Sequence, residues 1–197
     1  MGSVRGPDGP VECLVTGSGE PVTLFAHGFA GSIGETRPFG SGVHGTRVFF
    51  HFRAHGASAR ADQPWTYAGL EAELRAVRTA YGASRGLGVS LGAGALLRSA
   101  VCSPEAFQRL VVVLPPALDR PRSGRALDRV QAMAEHAASH DVEGLTALLL
   151  AEQPVDVRRR RAHICVARRR RTSSGCSASS RAVSPSTSCE AACCAIA

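Results

Sequence analysis

The chain has 197 residues, 44% of them hydrophobic and 20% charged, which suits one domain with a buried core and excludes global disorder. It contains no lysine, so its 23 basic residues are all arginine, and a P-loop nucleotide site is excluded for want of its motif lysine. The longest apolar stretch, Leu110–Leu118, is too short to cross a bilayer and holds Pro115 and Pro116, and Met1-Gly-Ser-Val-Arg-Gly6 carries no apolar export segment. A cytoplasmic chain without a membrane partner is the expectation.

In chain order, Val11–Thr16 and Val22–Ala26 are short β-rich runs separated by the turn residues Gly17-Ser-Gly-Glu-Pro21, a pattern that predicts a hairpin. Arg47–Phe52 is a third strand. Trp65–Tyr81 places Leu70, Leu74 and Val77 at helical spacing, with Glu71 and Glu73 early and Arg75 and Arg78 late, as the helix dipole favours. Arg85–Val89 predicts a fourth strand, Gly92–Val101 a helix and Arg109–Leu114 a fifth strand, followed by helices over Leu127–Ala138 and Val142–Leu150. Strands spaced by helices imply an α/β fold, a mostly parallel sheet flanked by helices. Cys13 and Cys102 are expected to be buried thiols.

Past residue 157 the text changes. Residues 1–157 hold 14 Arg against 15 acids, whereas 158–197 hold 9 Arg against the single acid Glu190. Five of the seven Cys lie in this second segment (165, 176, 189, 193 and 194), among runs of Ser. With neither helical nor strand periodicity, 158–197 is expected to be a disordered basic tail. No specific nucleic-acid partner is expected, because aromatic residues and a basic fold around the arginines are both missing. The Cys spacings make no metal site, and the prenylation-like ending Cys194-Ala-Ile-Ala197 arises easily by chance in so Cys-rich a segment. With no Lys or Asn and only three Ile, the whole chain has the composition of a GC-rich gene. Arginine runs mixed with Ser and Cys are what such a gene yields in a shifted reading frame. A frame change near Val157 is therefore expected, and another frame of the nucleotide sequence should then encode a balanced, periodic segment.

Gly88-Val89-Ser90-Leu91-Gly92 is a G-x-S-x-G motif between a predicted strand and a predicted helix. A turn sharp enough to project Ser90 brings strand and helix together at Gly88 and Gly92, where only small residues fit. It also puts Ser90 in a strained conformation at a helix N-terminus. The dinucleotide reading G-x-G-x-x-G fails, because after Gly86 and Gly88 the third glycine position is Leu91. Upstream, His27-Gly28-Phe29 follows a strand and opens a Gly-rich loop. The backbone N–H groups of Phe29 and Leu91 are then the candidates for an oxyanion hole, with His27, Gly28, Gly88 and Gly92 supporting the two turns.

These residues in this order resemble the α/β-hydrolase family, to which Arg53-Ala-His-Gly-Ala-Ser58 is also similar in its R-G-H-G-x-S segment. The resemblance covers about residues 11–155. It implies a serine hydrolase with Ser90 as nucleophile, acting on a carboxylic ester or related small-molecule acyl substrate, with neither cofactor nor metal. It also implies a partial hydrolase domain over 1–157, in which about 120–155 begin a cap, truncated before the last strands of the sheet. The family places a carboxylate and then a histidine on loops after later strands, and the tail stands there instead. After Ser90 the chain holds His136, His140 and His163, of which the first two are expected on the cap surface, and Asp119 is an acid candidate. His27 and His55 belong to loop motifs and are expected to shape them by hydrogen bonding. The sequence thus specifies nucleophile and oxyanion hole without an identifiable acid and base. Alternatives are an acyltransferase or cofactor-free haloperoxidase on the same fold, or a non-catalytic binding protein whose basic tail meets nucleic acid or anionic surfaces. Acyl-chain preference and oligomeric state are left open.

Overall fold

A computed structural model describes residues 1–60, 65–117, 124–139 and 141–151. The predicted tail 158–197, with Asp119, His140 and His163, lies outside the described residues. The elements in chain order are β1 (Gly2–Gly6), β2 (Gly9–Thr16), β3 (Val22–Ala26), α1 (Ile33–Thr36), β4 (Thr46–Phe50), α2 (Tyr67–Tyr81), β5 (Arg85–Val89), α3 (Leu91–Cys102), β6 (Arg109–Val113), α4 (Arg125–Ala138) and α5 (Val142–Leu150). They build one six-stranded sheet of order β1-β2-β4-β3-β5-β6. The β1–β2 and β2–β4 pairs are antiparallel, and β3, β4, β5 and β6 run parallel.

The predicted hairpin of Val11–Thr16 with Val22–Ala26 does not form. β2 pairs instead with β1 and β4, and β4 stands between β2 and β3. The reason lies in burial. β2 is buried only at Val11 and Cys13, both on one face, whereas every residue of β3 is buried. A strand apolar on both sides belongs inside a parallel sheet. The hairpin partner of β2 is β1, in register Gly2↔Cys13 to Gly6↔Gly9 around Pro7-Asp8, and Gly-Ser-Val-Arg-Gly has too little alternation to announce a strand.

The pleat divides the core. Leu24, Ala26, Val48 and Phe50 face a large cluster completed by Leu70, Leu74 and Val77 of α2, Leu91, Ala95 and Leu96 of α3, and Trp65. Phe25, Phe49, Leu87 and Val89 face the other way, against Ile33 of α1. Phe25 and Phe49 stack there at 4.5 Å. α2 begins at the Thr66 cap, whose side chain accepts from Gly69 N–H, and ends at Gly82 in the left-handed region. Cys13 is buried as expected, but Cys102 is exposed, because the buried stripe of α3 stops at Ser99.

β6 reads as an interior strand, Arg109-Leu-Val-Val-Val113, yet it ends the sheet among the described residues, and Val111 is 53% exposed. α4 and α5 form a helical hairpin in the segment expected to begin a cap. No helix among the described residues is long and apolar enough to cross a membrane.

Candidate active site

Ser90 sits where β5 turns into α3, with φ 49° and ψ −105°. A side chain other than glycine avoids that region, and holding it there costs about 1–3 kcal/mol. Backbone hydrogen bonds on both sides pin the turn: Ser90 N–H donates to Val113 O at 2.9 Å, and Ser90 O accepts from Gly94 N–H at 3.0 Å. The hydroxyl makes no capping bond to its own helix. Relief of the strain gives a direct prediction. Ser90→Gly is expected to raise the thermal midpoint by a shift worth about 1 kcal/mol, strain release outweighing the entropy cost of glycine. Ser90→Ala keeps the Cβ and should leave the midpoint in place, so equal midpoints for the two variants in thermal denaturation would count against a strained turn.

The flanking glycines are dictated by contact. A Cβ on Gly88 would lie 2.6 Å from both C and O of Gly92, and a Cβ on Gly92 would lie 2.4 Å from Ala26 O. The elbow therefore closes on itself and on the central strand β3 at once. Gly92 N–H donates to His27 O at 3.1 Å, which brings the start of α3 against the end of β3. That bond sets the Leu91 N–H and the His27-Gly28-Phe29 turn side by side. Neither Leu91 N–H nor Phe29 N–H has a backbone acceptor among the described residues.

The loop after β3 is held by buried histidines. His27 is fully buried; its Nδ1 lies 2.7 Å from Gly28 O, and its Nε2 accepts from Phe52 N–H at 3.1 Å. The second bond leaves Nδ1 as the donor, so the ring is neutral and fixed as one tautomer. Burial, and then the neighbouring His55, push its pKa down to about 3. His51 is similarly committed, with Nε2 accepting from Ile33 N–H at 3.0 Å and Nδ1 2.8 Å from Glu12 Oε2. His55 lies 2.9 Å from Arg53 O through Nδ1 and packs against Trp65, and burial lowers its pKa as well. Trp65 in turn meets the Phe29 ring edge-on.

The segment Arg53–Ser58 is a brace beside this loop. Arg53 is buried in ion pairs with Glu73 and, at 2.6 Å, with Asp8. Ser58 Oγ accepts from Glu12 N–H and donates to His51 O. Glu12 Oε2 also accepts from Ala57 N–H at 2.7 Å; that bond first, and His51 second, hold its carboxyl below the usual range. Gly56, at φ 53°, could carry no side chain, since a Cβ would lie 2.1 Å from His51 Nδ1. Sequence reasoning missed Glu12, His51 and Glu35, whose carboxylate accepts from Gly28 N–H at 3.0 Å. The one available signal was a carboxylate placed seven residues beyond the glycine of the His-Gly pair.

Among the described residues, no histidine ring is hydrogen-bonded to Ser90 Oγ. His136 Nδ1 lies 3.0 Å from Asp141 Oδ2, and Asp141 also caps α5 by accepting from Gly144 N–H at 2.8 Å. The pair joins the end of α4 to the start of α5. It accounts for His136 as a residue of the helical hairpin, half-exposed as expected for that segment.

No protein-family model and no curated protein matches the chain. Solved structures do match. An α/β hydrolase from Sphaerobacter thermophilus is 24% identical with a TM-score of 0.63, over 82% of this chain and 65% of that one. An esterase from Exiguobacterium antarcticum is 17% identical with a TM-score of 0.68, over 81% and 65%. An epoxide hydrolase from Vigna radiata is 19% identical with a TM-score of 0.62, over 77% and 54%. The chain thus spans under two thirds of the length of these structures. Likeness at such identities shows the fold: this chain has the α/β-hydrolase fold.

Proposed function

We propose that this chain, with its α/β-hydrolase fold, uses Ser90 as the nucleophile of a hydrolase acting on a carboxylic ester or a related small-molecule acyl substrate. The observation that carries the reading is the backbone of Ser90, a left-handed residue held on both sides by hydrogen bonds and followed directly by α3. Strain of this kind persists only where the surroundings enforce it. Ser90 is half-buried at this turn, and its hydroxyl makes no capping bond to α3.

In this reading Ser90 Oγ attacks the acyl carbon and gives up its proton to a base. The carbonyl oxygen becomes an oxyanion between Phe29 N–H and Leu91 N–H, at the N-terminus of α3. Each such donor contributes roughly 3–4 kcal/mol of transition-state stabilisation. The intermediate then collapses, the alcohol leaves with a proton, and water releases the acid by the same steps. The later histidines His136, His140 and His163 are the candidates for the base within the chain, and His136 meets Asp141 through Nδ1, the nitrogen by which a carboxylate orients a catalytic histidine.

The test is labelling of the full chain by a fluorophosphonate, alongside hydrolysis of a short activated ester. The expected result is an adduct on the peptide containing Ser90, absent in Ser90→Ala, with ester turnover falling to the same background. Equal labelling or equal turnover in the variant would overturn the proposal.

A further inference from the structure

We infer that Glu35 is a positioning residue for the oxyanion loop: its carboxylate holds Gly28 N–H, in the peptide unit just before the one that carries Phe29 N–H, and so helps to aim Phe29 N–H. The inference rests on the proposed hydrolase reading for its catalytic meaning, and on the following geometry for its substance.

The Phe29 N–H belongs to the peptide unit whose oxygen is Gly28 O. In a planar trans peptide the two groups point in opposite directions, so fixing one aims the other. Gly28 O is fixed twice, by His27 Nδ1 at 2.7 Å and by Gly31 N–H at 3.0 Å. The preceding peptide unit is also held at both ends. His27 O accepts from Gly92 N–H, and Gly28 N–H donates to Glu35 Oε2 at 3.0 Å. Of these four bonds, only the last is made to a charged group, and bonds to ionised acceptors are the stronger kind. Glycine is otherwise the residue least able to hold its own conformation.

The loop is shaped around the carboxylate. A Cβ on Gly31 would lie 2.1 Å from Glu35 Oε2, so a side chain there and the carboxylate exclude each other. The Glu35 oxygens also come within 3.6 Å of the space beside Gly28 that borders Val89 O, the residue before the nucleophile. α1 sets the position from which Glu35 reaches back, and its first residue is tied to the core through Ile33 N–H and His51 Nε2.

The experiment combines amide hydrogen exchange with the rate of Ser90 phosphonylation, on the full chain and on Glu35→Ala, Glu35→Gln, Gly31→Ala and the double variant Gly31→Ala/Glu35→Ala. Glu35→Ala and Gly31→Ala are each expected to expose Gly28 N–H to exchange, leaving α2 and β5 protected. They should slow phosphonylation by about tenfold to a hundredfold, the usual effect of misplacing one oxyanion donor. The double variant should be no slower than Gly31→Ala alone, since the added methyl already displaces the carboxylate and also crowds Gly28 O at 2.9 Å. Glu35→Gln keeps an acceptor of the same reach without the charge, and should fall between Glu35→Ala and the parent in both protection and rate. Unchanged exchange at Gly28 in Glu35→Ala would overturn the anchor. So would a phosphonylation rate in Glu35→Ala equal to that of a parent that does label. A parent chain that does not label at Ser90 would overturn the hydrolase reading, and Gly28 exchange would then decide the anchor alone.

Discussion

Gly92→Ala is expected to destabilise the chain by about 3 kcal/mol or more, enough to remove a large part of a typical domain stability of roughly 5–15 kcal/mol. In isolation the change should help, since alanine in a helix gains about 0.5–1 kcal/mol over glycine. The neighbours decide the sign. The added methyl would lie 2.4 Å from Ala26 O, 2.6 Å from Ala26 C and 2.8 Å from Ala26 Cβ, all in the fully buried strand β3. A backbone in the middle of a sheet cannot turn aside as a flexible side chain can. Relief would require α3 to lift away, breaking the bond from Gly92 N–H to His27 O and opening the core beneath Leu91 and Leu96. Gly2→Ala, with nothing within 4 Å, is the neutral control. Gly82→Ala, in equally open space but at φ 64°, should cost only about 1–2 kcal/mol of backbone strain. Urea unfolding of the three variants would check the order, and a Gly92→Ala midpoint equal to that of Gly2→Ala would show that the elbow is looser than its contacts.

The same contacts explain what could be read without coordinates. Gly88 and Gly92 were legible because a close backbone approach admits only one residue type, and spacing around a serine marks it. β5 and α5 have the predicted bounds, and α2, α3, β4 and β6 differ by one or two residues at their ends, because apolar runs and helical spacing are local signals. The partner of β2 was not legible, because closeness in the chain favours a hairpin with β3, whereas the full burial of β3 sets the order. The bracing around the site was hidden for a related reason. Glu12 reaches His51 across 39 residues, and Arg53 reaches Glu73 across 20, distances over which no periodicity speaks. His27 was expected to shape its loop, yet nothing in the residue order says which nitrogen donates. That follows only from Phe52 N–H arriving from just past the end of β4.

Acid should loosen this chain through His27 well before its carboxylates protonate. The ring is fully buried and must be neutral to accept Phe52 N–H, so its pKa falls from 6.5 to about 3 on folding. A folded value below the unfolded one means that, between the two, the unfolded chain binds a proton that the folded chain refuses. The associated stability is therefore complete above about pH 6.5 and declines as the pH falls, by about 1.4 kcal/mol per unit. At pH 5 the loss through His27 alone is about 2 kcal/mol, and any folded value below about 4 gives the same figure. His55, also lowered by burial, acts with the same sign and steepens the decline. His27→Gln isolates the effect, since an amide can still donate and accept but does not titrate. It is expected to be the less stable chain at pH 7.5, by about 1–3 kcal/mol for imperfect hydrogen bonds, and to lose about 2 kcal/mol less than the parent on going to pH 5. Urea unfolding of both chains at the two pH values measures the difference, and parallel curves would mean that the ring is not held neutral. The proton enters at Nε2, so the bond that acid opposes is the one from Phe52 N–H, whereas Nδ1–H still donates to Gly28 O in the charged ring; the acid sensitivity therefore lies in the tie between the loop and the segment after β4, not in the turn at Gly28.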